Sequence, residues 1–136
     1  RGIDRFKQVV AGLAWLDMQV DVIFTSPLVR ARQTAELLSA GLSDEVPVET
    51  ADALAPGHTT VEAMEQIARD AGAATRVALV GHEPDLGALA CWLIGGKRTL
   101  PFKKGGACRL EMDSLSSRYA TLSWHLPPKV LRKLGE

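Results

Sequence analysis

Two residues in this chain sit where a strand gives way to a helix, and both carry the chemistry of an anion site. Thr25-Ser26-Pro27-Leu28-Val29-Arg30 follows a short apolar run and puts Arg30 in the first turn of the next helix. Val80-Gly81-His82 puts His82 directly on a second strand end. A guanidinium is a planar fork that matches phosphate oxygens. A helix start adds free backbone N–H groups and the positive end of the helix dipole. Together with an imidazole these groups suit phosphate best. Each residue alone has a plainer alternative. Arg30 opposes its own helix dipole, so helix stability does not account for it, but a surface ion pair would. His82 alone is equally a hydrogen-bonded structural residue.

For Arg30 and His82 to face one crevice, the strands ending at Thr25 and Val80 must be parallel neighbours, because ligands in open α/β sheets bind beyond the carboxyl ends of the strands. The pattern of the chain is consistent with that. Phe6, Val9, Val10, Leu13 and Leu16 follow helical spacing, which predicts a helix over Asp4–Met18. Asp21–Thr25 reads as a buried parallel strand. Pro27 suits the first turn of the helix that follows, with Leu28, Ala31, Ala35 and Leu38 on one face and Gly41 at its end. Val46–Glu49 is a candidate second strand, and Ala55–His58 a loop. Thr59 followed by Glu62 is a capping-box pattern and predicts a helix from about Thr60 to Ala71.

Arg76–Val80 is the third strand. Leu86, Leu89, Ala90 and Leu93 mark another helix, closed by Gly95-Gly96. Gly105–Asp113 and Arg118–Leu126 read as two strands around a polar turn at Ser114–Ser117, and Lys129–Leu134 as a final helix. Alternating strands and helices predict a three-layer α/β/α architecture with a mostly parallel sheet. No repeat or linker divides residues 1–136, so a single domain is expected.

Composition narrows the function classes. The 136 residues are 46% hydrophobic and 24% charged, the mix of a globular protein. Sixteen basic and sixteen acidic residues cancel, so no nucleic-acid or membrane partner is expected. No apolar run reaches a membrane span, no signal peptide is visible, and a cytoplasmic location fits. Cys91 and Cys108 have neither metal-ligand spacing nor a disulfide framework, and Cys91 reads as a buried small hydrophobe. The basic pairs Lys97-Arg98 and Lys103-Lys104 are by default a solvated loop, and would otherwise suit a phosphorylated partner.

The stretch Thr25-Ser26-Pro27-Leu28-Val29-Arg30-Ala31-Arg32-Gln33-Thr34-Ala35 resembles the second motif of the histidine phosphatase superfamily. Val80-Gly81-His82-Glu83-Pro84 resembles its third motif, and Leu126-Pro127-Pro128-Lys129-Val130-Leu131-Arg132 is similar to the close of the short SixA-type phosphohistidine phosphatases. The resemblance implies a phosphoglycerate mutase-like fold. It makes Arg30 a phosphate ligand and His82 the second histidine of the pocket, hydrogen-bonded to the transferring phosphoryl group. Arg32 matches no catalytic position. Ser26 could lend a hydroxyl, although a helix N-cap is its plainer role. The chemistry implied is a two-step transfer through a phosphohistidine on the enzyme, with neither cofactor nor metal. Many relatives add a carboxylic acid that protonates the leaving group. Glu49, Asp52, Glu62 and Glu83 are the candidates, and the helix dipole already explains Glu62 and Glu83.

One departure matters. The family's first motif, an Arg-His-Gly after its first strand, carries the nucleophile, and no Arg-His-Gly occurs here. The histidines are His58, His82 and His125. His58 lies in the wrong loop, and His125 follows Trp124 in a late strand, where a structural role is expected. The nucleophile is therefore expected upstream of residue 1, and a slot with unpaired backbone groups is expected where the first strand would lie. The function expected is hydrolysis of phosphohistidine on a protein of the histidine-phosphotransfer type, with inorganic phosphate as product. Two alternatives stay open: a small-molecule phosphomonoesterase on the same fold, and a non-catalytic phosphate-binding module.

Overall fold

In the computed structural model, which describes residues 2–42 and 45–136, the strand β1 (Val22–Thr25) is buried along its whole length. Its residues point alternately to two cores, as strand geometry requires. Val22 and Phe24 join Ala63, Met64, Ile67, Leu89 and Leu93 in one cluster. Ile23 joins Val9, Val10, Leu13, Ala35, Leu38 and Leu131 in the other. The helices sort accordingly. α1 (Gly2–Trp15), α2 (Val29–Gly41) and α5 (Pro128–Leu134) cover one face, and α3 (Thr60–Asp70) and α4 (Asp85–Leu93) the other. The expected three-layer α/β/α arrangement is what forms.

β1 is flanked by β2 (Val48–Thr50) and β3 (Val77–Val80), both parallel to it. The register pairs Thr25 with Val80, so the two strand ends singled out in the sequence lie side by side. β4 (Ala107–Glu111) and β5 (Thr121–Leu126) form a separate antiparallel pair with a register shift after Arg109. Both sheets contribute to the same two cores. Ala78 and Val80 of β3, Ala107 of β4, and Trp124 and Leu126 of β5 pack against one cluster; Val77, Leu79, Leu110 and Met112 pack against the other. Yet among the described residues β3 and β4 are not paired. The Ser26 N–H donates to the Val80 carbonyl, 2.9 Å away. By the alternation of a parallel ladder, the Val77 and Leu79 backbone groups then face the other edge, on which no strand lies among the described residues. The residues of β3 are accordingly half-buried where those of β1 are buried. Among the described residues the sheet is interrupted at that edge of β3.

Local chemistry moves several boundaries from where periodicity puts them. α1 stops at Trp15 rather than Met18 because Asp17 turns the chain with a left-handed φ of 56°. α2 begins at Val29, so Pro27 lies outside the helix instead of in its first turn. The cause is a local turn: the Leu28 N–H donates to Ser26 Oγ at 3.2 Å, an alternative to helical bonding open to a serine. β2 starts after Pro47, whose carbonyl accepts the Ile23 N–H at 2.9 Å. The capping box at α3 forms as the sequence predicts, with Thr59 Oγ1 accepting the Glu62 N–H at 3.1 Å and Glu62 Oε1 accepting the Thr59 N–H at 2.9 Å. α1 meets α5 at Gly12, where a Cβ would run into the Leu131 carbonyl oxygen. The two backbones touch there, and only a glycine lets them.

Candidate active site

β1 and β3 deliver their following residues to one place. Ser26, the first residue after β1, is fully buried, and its Oγ lies 2.7 Å from His82 Nε2. His82 is itself fixed from behind, because its carbonyl accepts the Leu86 N–H at 2.9 Å in the first turn of α4. The serine was expected to cap α2, but the N-cap position is held by Leu28 with no side-chain bond. Ser26 Oγ instead meets both the Leu28 N–H and the histidine. It couples the start of α2 to the end of β3, and so holds the imidazole at the mouth of the sheet.

Arg30 stands in the first turn of α2, exposed, and its guanidinium has no hydrogen bond or ion pair among the described residues. The surface ion pair that would have explained it is thus not made. Arg32, two residues on, is occupied: it donates to Thr50 Oγ1 and lies 4.0 Å from the Glu36 carboxylate. Near the free strand ends, then, the cation left available for a ligand on α2 is Arg30.

His82 also lines a cavity of about 230 Å³ between the 3-10 turn Asp52–Leu54, α3 and α4. Leu54, Ala63, Leu86 and Leu89 supply apolar walls, and His58, Thr59, Thr60 and Asp85 polar ones. Arg30 does not line this cavity. The contribution of His58 and Asp85 was missed in the sequence. Its signal was present in the capping box, which starts α3 one residue after His58 and at the same sheet end as α2 and α4.

The candidate acids separate by their partners. Glu83 is engaged in structure: Oε1 accepts the Gly87 N–H at 2.7 Å, and Oε2 the Phe102 N–H at 3.4 Å, which ties the loop after α4 down beside His82. Glu62 is held below the ordinary carboxylate range, first by the Thr59 backbone N–H and then by the Thr59 and His58 side chains. It is therefore an ionised acceptor near neutral pH and no proton donor. Glu49 and Asp52 are exposed and do not line the cavity. His125 sits on β5 opposite Cys108, its ring edge-on to Phe102 at 4.8 Å. Burial pushes the Cys108 thiol up to about 11, so it stays protonated and unreactive near neutral pH. Among the described residues, no three His, Cys, Asp or Glu side chains gather closely enough to ligate a metal ion, and no helix is long and apolar enough to cross a membrane.

Residues 1–56 match the sequence model of the histidine phosphatase superfamily, branch 1. An uncharacterized protein of Picosynechococcus sp. (strain ATCC 27264 / PCC 7002 / PR-6) is 37% identical over 114 residues, covering 82% of this chain and 68% of that protein. The chain belongs to the histidine phosphatase superfamily. Its fold is similar to that of the protein histidine phosphatase SixA in a complex with tungstate, with a TM-score of 0.82 and 21% identity, over 95% of this chain and 82% of the other. It is also similar to an Agrobacterium tumefaciens protein assigned as a phosphohistidine phosphatase SixA, with a TM-score of 0.74 and 20% identity, over 93% and 80% of the two chains. The phosphoglycerate mutase-like fold expected from the motifs is therefore present, and the chain is of a phosphatase family.

Proposed function

We propose that this histidine phosphatase hydrolyses phosphohistidine on a protein, with Arg30 and His82 as its phosphoryl ligands. The observation that carries the proposal is the junction of Ser26 and His82 at the ends of two paired parallel strands, with Arg30, unpartnered among the described residues, in the first turn of the helix that follows Ser26. The SixA structure of the same fold is complexed with tungstate, which supports a tetrahedral oxyanion as the ligand class. The nucleophile is proposed to be a histidine N-terminal to residue 1, on a strand that pairs with the free edge of β3. Its ring attacks phosphorus in line, the bond from phosphorus to the leaving nitrogen breaks, and water then releases phosphate from the enzyme histidine. Charge on the three equatorial oxygens is met by Arg30 and His82, and such positioned donors supply most of the rate. Of the acids singled out in the sequence, Glu62 is ionised, Glu83 is engaged with backbone, and Glu49 and Asp52 do not line the cavity; Asp85, which does line it, is the carboxyl left beside His82. A weak acid suits a phosphoimidazole, whose leaving group is far less basic than an alkoxide.

The test is to express the chain together with the residues that precede it in its gene, and to measure release of phosphate from a phosphohistidine protein and from a sugar phosphate. Faster cleavage of the phosphohistidine is expected. A preference for the sugar phosphate would replace the proposal with a small-molecule phosphomonoesterase. Tight phosphate binding with no turnover of either would leave a binding module.

A further inference from the structure

Between Asp85 and Glu111 the chain has five basic residues and no acidic one, although the charges of the whole chain cancel. Arg109 lies 4.0 Å from the Glu111 carboxylate. The other four, Lys97, Arg98, Lys103 and Lys104, are exposed and have no acidic partner among the described residues. Like charges this close in the chain repel one another, so the stability of the fold does not account for them.

The loop that carries them is tied to the site. The Leu100 N–H donates to the Gly87 carbonyl at 3.0 Å, and the Phe102 N–H to Glu83 Oε2 at 3.4 Å. Gly87 admits the loop, since a Cβ there would run into the Leu100 carbonyl oxygen and Thr99 Oγ1. Glu83 directly follows His82, whose Nε2 meets Ser26 Oγ, and that oxygen takes the Leu28 N–H. One series of contacts thus runs from the basic loop past His82 to Leu28 and Val29, two exposed apolar side chains just before Arg30.

We propose that Lys97, Arg98, Lys103 and Lys104 form a docking surface for an acidic face of the protein that carries the phosphorylated residue. The proposal rests on the phosphatase reading above and deepens it by giving the chemistry of the partner. Charge complementarity of this kind steers encounter and selects partners. A small phosphorylated molecule leaves the four cations without a role once Arg30 and His82 hold its phosphoryl group. A nucleic acid fits less well: the loop's one aromatic residue, Phe102, is half-buried with its ring against His125, and so offers no face on which a base could stack. Exposed Leu28 and Val29 beside the phosphoryl ligand suit the mixed apolar and polar surface of a protein.

The experiment uses the chain together with the residues that precede it in its gene. Three substrates are compared: a phosphohistidine peptide flanked by aspartate and glutamate, one of equal length flanked by serine and asparagine, and phosphoramidate. The acidic peptide is expected to show a kcat/KM about tenfold above the neutral one at low ionic strength. That advantage should shrink as salt is raised, because the charges are exposed. Lys97→Gln with Arg98→Gln, and Lys103→Gln with Lys104→Gln, should each reduce it and leave phosphoramidate turnover as in the parent. Equal kcat/KM for the two peptides, or an advantage that survives both double variants, would overturn the docking surface while the phosphatase stands. Tighter binding of a single-stranded RNA oligonucleotide than of the acidic peptide at physiological salt, lost in the same variants, would overturn it in favour of a nucleic acid. Turnover of none of the three substrates would remove the phosphatase reading, and the docking surface with it.

Discussion

The Oγ of Ser26 and the Nε2 of His82 lie 2.7 Å apart, across 56 residues of sequence, inside a sheet end that is buried at Ser26. One hydroxyl therefore serves two elements, because it also takes the Leu28 N–H at the entry to α2. Changing Ser26 to Ala leaves that N–H and the imidazole without their partner. A lost buried hydrogen bond with an unsatisfied group costs about 1–3 kcal/mol. We expect a stability loss in that range by urea unfolding, together with broadened or shifted His82 ring signals. Unchanged ring signals would mean that the bond does not fix the histidine.

A second fixed point lies at the opposite end of the same strand pair. Asp21 Oδ2 accepts the Thr75 and Arg76 backbone N–H groups at 3.0 Å each, which joins the start of β1 to the start of β3. These bonds, the Thr75 one first, hold its pKa below the ordinary 3.8. A carboxylate whose folded pKa is depressed adds stability that is present above its unfolded pKa and is lost as pH falls through the folded value. Asp21→Ala should therefore destabilise the protein at neutral pH, and the gap from the parent should close as pH drops below about 4. Chemical denaturation at pH 7 and at pH 2–3 checks it. A gap that stays constant with pH would show that the charge contributes nothing.

The elements that position the site were legible in sequence because their signals are local. The apolar run at Val22–Thr25, the capping box at Thr59 and Glu62, and the Gly81-His82 strand end each report on neighbours within a few residues. The motif around Arg30 likewise singled out the arginine that is free and set aside Arg32, which the structure finds paired with Thr50 and Glu36. What failed was long-range or depended on competing bonds. Ser26 looked like a helix cap, and no local pattern reveals that its hydroxyl is claimed by a histidine 56 residues away. His58 was set aside by loop assignment alone. Its approach to His82 depends on how α3 and α4 pack together, which periodicity does not encode.

The free edge of β3 makes a prediction about backbone exchange. Val80 is bonded to β1 through the Ser26 N–H, so Ala78 shares that side and Leu79 faces the unpaired one. In this chain the Leu79 amide should exchange with solvent far faster than the amides of Ala78 and Val80, although all three belong to one short strand. Adding the residues that precede the chain should then slow Leu79 selectively if a strand fills the edge, as proposed. Hydrogen exchange read by NMR distinguishes the cases. Equal protection of Leu79 and Val80 in the chain alone would show that the edge is already covered.

The two neighbouring arginines of α2 should behave in opposite ways. In the protein carrying its nucleophile, Arg30→Ala removes the fork on the phosphoryl oxygens, and loss of one such donor typically costs about 10²–10³-fold in turnover. His82→Ala should cost a comparable factor. Arg32→Ala gives up the contacts to Thr50 and Glu36, and exposed pairs of this kind are worth about 0.2–1 kcal/mol of stability. It should therefore leave turnover within about twofold and shift the urea midpoint slightly. The converse substitution sharpens the comparison: Arg30→Lys keeps the charge and loses the planar fork, so it should recover only part of the activity. Steady-state hydrolysis by the four variants, with unfolding curves alongside, reads all of these outcomes. A dead Arg32 variant beside a near-normal Arg30 variant would transfer the phosphoryl clamp to Arg32 and with it move the site toward the β2 side of the sheet.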